Sequence, residues 1–250
     1  MVRITKGIPL YIDTATSRLR WGWVKSLECR GVSLKLWLTF EGECETDSGM
    51  VINVTEIARA LREKLNGEDV QKQNALEIIH WIWQEFESKY HARKLMQAAL
   101  DIHEALRIAR IAKEPNMVKI TTKYELAASH RLRNRSWDEK RNREIFGKCS
   151  NPAGHGHNYI LEITLGGKAN KETGEVVDLE MVDRIVREQI IDRYDHKNLN
   201  EDINEFADLL PTVENMAKVF WERLTGQFGE VRLESVRVWE TPQCYAEYSG

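Results

Sequence analysis

The chain has 250 residues, of which 42% are apolar and 30% charged, with a formal net charge of −3. This composition suits one or two globular domains and excludes a disordered or collagen-like chain. The charge gives no reason to expect nucleic acid. No apolar run reaches the roughly 18–20 residues of a membrane span, and the opening MVRITKGIPLYID lacks a secretory h-region, so a cytoplasmic, non-membrane protein is expected.

A repeat organises the chain. Shifted by 125 positions, Gly31–Glu63 lies over Gly156–Glu188 without a gap. Identities fall at Gly31/Gly156, Leu36/Leu161, Thr39/Thr164, Gly42/Gly167, Gly49/Gly174, Val51/Val176, Arg59/Arg184, Arg62/Arg187 and Glu63/Glu188. In each copy a β-strand (LKLWLTFEG; YILEITLGG) precedes a glycine-containing turn. An amphipathic helix follows (VTEIARALREKL; LEMVDRIVREQI), with Asn53 or Asp178 where an N-cap is wanted. The first copy continues with NALEIIHWIWQEFESKY and MQAALDIHEALRIARIAK, both read as helices, and shows no closing strand pair. A boundary near Ala112–Asn116 divides the chain into residues 1–115 and 116–250. The second copy opens with the strand VKITTKYELAASHRL. It ends with the helix PTVENMAKVFWERL and the strands VRLESVRVWET and YAEYSG.

Four of the seven histidines sit in a suggestive context. His155 and His157, at i and i+2 in GHGHNYILEIT, point to one face of a strand flanked by uncrowded glycines. His130 ends another strand. Spacing alone admits either a three-imidazole metal site, best suited to zinc, or two exposed loop histidines with an unrelated third. In the first copy Arg30, Val32 and, in a shifted register, Ser17 occupy these places, so that copy lacks the ligands. Cys149, in GKCSNPAGHGH, is either an inert loop thiol or one activated by nearby positive charge. Asp195–His196 supplies a carboxylate beside an imidazole; neighbours in a strand diverge, so each would reach a separate partner, unless DHKN is only a solvated turn. Glu240, at a strand end before Pro242, could pair with the N–H edge of a heterocycle or stand exposed. His80, His91 and His103 read as surface or packing residues. Cys29, Cys44 and Cys244 receive no role, and all four thiols are expected to be reduced.

From Val118 to Gly250 the motifs ASHRL, FGKCSNPAGHGHNY, TGEVVDL, YDHKNLN, PTVEN and WET with AEYSG follow one another in order. Together they resemble the 6-pyruvoyl-tetrahydropterin synthase / 6-carboxytetrahydropterin synthase family. The resemblance implies an α+β tunnelling fold (T-fold), antiparallel sheets with helices on one face. Here that fold would be in tandem, with a degenerate, more helical first unit. It implies a Zn2+-dependent lyase that eliminates triphosphate from 7,8-dihydroneopterin triphosphate to give 6-pyruvoyl-tetrahydropterin. The implied zinc ligands are His130, His155 and His157. Cys149 would be the proton-abstracting thiol, Asp195 and His196 the relay pair, Glu240 the pterin anchor, and Thr212 and Glu214 would lie near the pterin. The spacing Cys-x5-His-x-His resembles the pyruvoyl-forming branch. The carboxy-forming branch of the queuosine pathway and a non-catalytic zinc/pterin-binding scaffold are the alternatives. A homo-oligomer, trimer or hexamer of T-fold units, with sites between subunits is implied. A net negative chain must meet a triphosphate with local basic residues, such as those of Arg131–Arg143 and Lys197.

Overall fold

The computed structural model describes residues 1–12, 32–65, 75–89, 94–114, 116–170 and 175–250. Two compact units make up the chain: Met1–Ile120 with Lys168–Glu175, and Thr121–Gly167 with Val176–Gly250. No helix among the described residues is long and apolar enough to cross a membrane.

The first unit contains β1 (Val2–Ile12), β2 (Val32–Gly42), α1 (Val54–Leu65), α2 (Ala75–Lys89), β3 (Lys94–His103) and β4 (Leu106–Ile111). Its strands run antiparallel in sequence order, β1 to β4. Alternation buries Leu34, Leu36, Leu38 and Phe40 of β2. The helices bury Ile57, Leu61, Ile78, Ile79 and Ile82, and Phe40 meets Phe86 of α2 edge-on at 5.5 Å. The segment 96–113, expected to be helical, is instead a β-hairpin. Among the described residues this unit therefore has the closing strand pair that its sequence does not announce. The apolar spacing of Leu95, Ala98, Ile102 and Leu106 suits a helix as well as a bulged strand, and the available edge of β2 decides between them.

The second unit contains β5 (Val118–His130) from Thr121 onward, α3 (Glu139–Phe146), β6 (His155–Gly167) and α4 (Leu179–Val186), which runs through a π turn into α5 (Asp192–Tyr194). Then come β7 (Lys197–Asn198), α6 (Val213–Leu224), β8 (Arg232–Thr241) and β9 (Cys244–Tyr248). Strand order is β5–β6–β8–β9, with β7 parallel to the end of β5. Val182, Val186, Ile190, Met216, Phe220 and Leu224 form one core with Leu161, Ile163, Val236 and Val238. Each such side chain contributes about 1.5–3 kcal/mol by burial.

The two units are one design. Adding 125 to β2 positions and 138 to β3 and β4 positions converts the register of the first unit into that of the second. Leu36↔Leu100 becomes Leu161↔Val238, and Leu100↔Ile108 becomes Val238↔Ala246. Both irregularities carry over. The shift at Thr39/Phe40 recurs at Thr164/Leu165, and that between Asp101 and His103 recurs between Trp239 and Thr241. Asn53 accepts from the amides of Thr55 and Glu56, as Asp178 does from those of Glu180 and Met181. The threonine pair Thr5–Thr39, 2.9 Å apart, recurs as Thr121–Thr164 at 2.9 Å. Gly31, Gly174, Ser17 and Arg30, used in the sequence comparison, lie outside the described residues.

Candidate active site

In the second unit the core-facing row of β6 runs from Ile163 and Leu161 through Tyr159 to His157 and His155. The matching row of β5, Leu126 and Ala128, ends in His130, which is 1% exposed. The row of β8, Val236 and Val238, ends in Glu240. Glu240 is the unpaired residue of a β-bulge, since Trp239 pairs with Tyr245 and Thr241 with Cys244. A bulge re-aims a side chain that the regular pleat would place elsewhere. Gly154, at φ +68°, lets the chain enter β6 beneath the end of β5; a Cβ there would stand 2.9 Å from the His130 carbonyl oxygen.

These rows bring together one ligand atom each from His130, His155, His157 and Glu240, all within 4.8 Å of one another. His130 Nε2 is 3.1 Å from His155 Nε2 and 3.6 Å from Glu240 Oε1, and His157 Nε2 is 3.3 Å from Glu240 Oε1. His130 Nδ1 lies 2.7 Å from the Pro211 carbonyl oxygen. A carbonyl only accepts, so Nδ1 carries the hydrogen and Nε2 keeps its lone pair. His157 Nε2 is buried and makes no hydrogen bond. Burial holds His130 and His157 below the ordinary imidazole range, against the opposing pull of the Pro211 carbonyl on His130 and of Glu240 on His157. Neutral imidazoles with converging lone pairs, one of them orphaned, fit a divalent metal.

Cys149 lies in a 3-10 turn, Gly147–Ser150, whose Cys149 carbonyl accepts from the Leu132 amide at 2.8 Å. Its thiol is pushed up, first by burial and then by the charge of Glu240. Asp195 and His196 bond each other directly, Oδ2 to Nδ1 at 2.7 Å. They form a turn rather than a strand, with His196 at φ +58°. Together they grip Ala127: its amide donates to Asp195 Oδ1 at 2.8 Å, and its carbonyl accepts from the His196 amide at 2.6 Å. The Ala127 amide, ahead of His196, holds Asp195 below the usual carboxylate range. The His196 side chain is 82% exposed and does not join the imidazole cluster. Thr212 caps α6, its Oγ1 accepting from the Asn215 amide, and Glu214 is exposed in the first turn of that helix.

Some contributors were not visible in the sequence. Besides the Pro211 carbonyl, Asn200 pairs with both the amide and the carbonyl of Arg131, at 2.6 and 3.0 Å, and so fastens the YDHKNLN loop to the end of β5. Asn142, fully buried, donates to the carbonyls of Asn134, Trp137 and Asp138 and accepts from the Asn134 amide, shaping the loop that follows His130. Of the basic stretch, Arg131 and Arg133 both bond Glu139, and Arg133 and Arg135 line a cleft of about 530 Å³ with Asn134, Ser136 and Asn200. Lys197 is exposed. His80 and His103 are exposed in the first unit, while His91 and Cys29 lie outside the described residues. Under the repeat correspondence Val32 stands where the second unit has His157, and buried Ile102, again the bulged residue, stands for Glu240.

Residues 119–250 match the family model for 6-pyruvoyl tetrahydropterin synthase. A human protein named 6-pyruvoyl tetrahydrobiopterin synthase is 36% identical over 132 residues, covering 53% of this chain and 91% of that protein. A Haemophilus influenzae protein named 6-carboxy-5,6,7,8-tetrahydropterin synthase is 30% identical over 122 residues, covering 41% of this chain and 84% of that protein. The solved structure of Caenorhabditis elegans 6-pyruvoyl tetrahydropterin synthase is 32% identical, with a TM-score of 0.50 over 54% of this chain and 96% of its own.

Proposed function

Since this chain belongs to the 6-pyruvoyl tetrahydropterin synthase family, we propose that it is a zinc-dependent lyase that converts 7,8-dihydroneopterin triphosphate to 6-pyruvoyl-tetrahydropterin with release of triphosphate. The carrying observation is the convergence of His130, His155 and His157 beside Glu240. In this reading residues 116–250 form the catalytic unit, and residues 1–115 form a sister unit without ligands.

His130, His155 and His157 would hold Zn2+, which when bound acts as a Lewis acid on the substrate's side-chain oxygens and acidifies the adjacent C–H. Glu240 accepts hydrogen bonds from the N–H edge of the pterin. An unpaired partner there is costly, so the carboxylate selects that ring. Its Oε1 is the oxygen nearest the imidazoles of His130 and His157. Thr212 and Glu214, beside the Pro211 carbonyl that holds His130, complete the pterin pocket. Cys149 removes the proton. Its raised affinity for that proton arises from burial and from the Glu240 charge. Pairing Glu240 with pterin N–H groups weakens the second of these and leaves the first in place. Asp195 and His196 relay protons. Their exposed turn suits service to an imidazole cluster on another copy of the chain, in a homo-oligomer in the cytoplasm.

The test is to incubate zinc-loaded protein with 7,8-dihydroneopterin triphosphate and identify the products by mass. Free triphosphate with a 6-pyruvoyl product supports the reading. A 6-carboxy product with acetaldehyde places the chain in the other branch, which the Haemophilus relative keeps open. No triphosphate release from metal-replete protein sinks the lyase and leaves a zinc/pterin-binding scaffold.

A further inference from the structure

The PTVEN segment shows more in the structure than a pterin contact. His130 is buried, and its Nδ1–H donates to the Pro211 carbonyl at 2.7 Å. That carbonyl is aimed by its surroundings. The Thr212 amide donates to the Leu210 carbonyl at 2.9 Å, an i to i+2 bond that closes a tight turn centred on Pro211. Proline fixes φ near the value such a turn needs. The same Leu210 carbonyl accepts a second hydrogen bond, from Asn215 Nδ2 at 2.8 Å. Asn215 is the third residue of α6, where a capping box would have Glu or Gln accepting from the cap amide. Here the cap amide is engaged with Leu210, and the side chain at this position donates to that carbonyl instead.

We infer that Asn215 is a positioning residue for the metal centre. By locking the Leu210–Thr212 turn it holds the Pro211 carbonyl on His130 Nδ1, and so fixes His130 in the tautomer whose Nε2 lone pair faces the metal. Ligating histidines depend on such an outer partner, whose loss costs roughly 10- to 100-fold in metal affinity. This role rests on the metal-site reading of the three histidines but not on the identity of the pterin product.

Asn215→Asp tests it, because the near-isosteric carboxylate cannot donate and sets an acceptor against a carbonyl. Histidine nitrogen NMR on zinc-free full-length protein is expected to show His130 protonated at Nδ1 in the wild type. In N215D the hydrogen is expected to redistribute toward Nε2. Zinc affinity, measured by chelator competition, is expected to weaken about 10- to 100-fold, while the thermal midpoint of the zinc-free protein moves little. Wild-type His130 protonated at Nε2 overturns the inference without any variant, and so does an N215D protein with unchanged zinc affinity and unchanged tautomer. If the chain forms no pterin product yet zinc affinity and tautomer respond to N215D, the positioning role stands and the proposed reaction falls.

Discussion

Replacing Glu240 by Gln separates the two roles its position allows. Its side chain is 20% exposed, and Oε1 lies 3.3 Å from His157 Nε2 and 3.6 Å from His130 Nε2. Glutamine keeps the shape, removes the charge and offers one acceptor oxygen in place of two. A hydrogen bond to a charged group is worth about 1.5–3 kcal/mol. Losing one such bond from the pterin edge therefore costs about 1.5–3 kcal/mol, or roughly 10- to 150-fold in kcat/KM. Zinc content should stay near one per chain, because three imidazoles remain. The Cys149 thiol should titrate lower in the zinc-free protein, since Glu240 is the one charge that raises it. Steady-state kinetics, elemental analysis and the pH dependence of alkylation read these three effects. A variant that loses its zinc but turns over normally once reloaded would refute the reasoning and make Glu240 a ligand.

Two other outcomes follow from the site's construction. Gly154→Ala forces a side chain into left-handed backbone with its Cβ 2.9 Å from the His130 carbonyl, which cannot yield as a side chain would. It should cost about 2–3 kcal/mol, lowering the melting midpoint by roughly 5–10 °C; calorimetry that finds no shift would mean the two chain segments are not held this closely. Burial depresses His130 and His157, so the unfolded chain takes up their protons first as pH falls. Stability of the zinc-free protein is then fully present above about pH 6.5 and declines as pH drops through the folded values. Urea midpoints that are equal at pH 5.5 and 7.5 would contradict this.

The sequence was most readable where one residue's type and spacing carry the information. The period of two at His155 and His157 placed both imidazoles on one face, and Asn53 and Asp178 cap the helices they precede. It was least readable where partners are distant or are backbone atoms. Any residue offers a carbonyl, so nothing marked Pro211, and the grip of Asn200 on Arg131 spans 69 positions. The β3–β4 hairpin was misread because Leu, Ala, Glu and Arg favour helices. Its turn also lacks glycine and proline; the Ala105 amide is met instead by the His103 ring nitrogen at 3.1 Å. The Asp195–His196 bond was missed because it needs a left-handed histidine, which a strand reading does not supply.

The bulge that carries Glu240 is present in the first unit with Ile102 in its place. The backbone irregularity thus belongs to the shared scaffold and is not a deformation required by the carboxylate. Around that bulge the register of the described strands is common to both units, and what differs there is side-chain identity. At this position, exchange between an apolar residue and a carboxylate is therefore open to a point substitution alone, with no insertion or deletion in β3 or β8. The first unit, with buried Ile102 at this place, is the natural control for measuring how much stability a carboxylate at the bulge costs its sister.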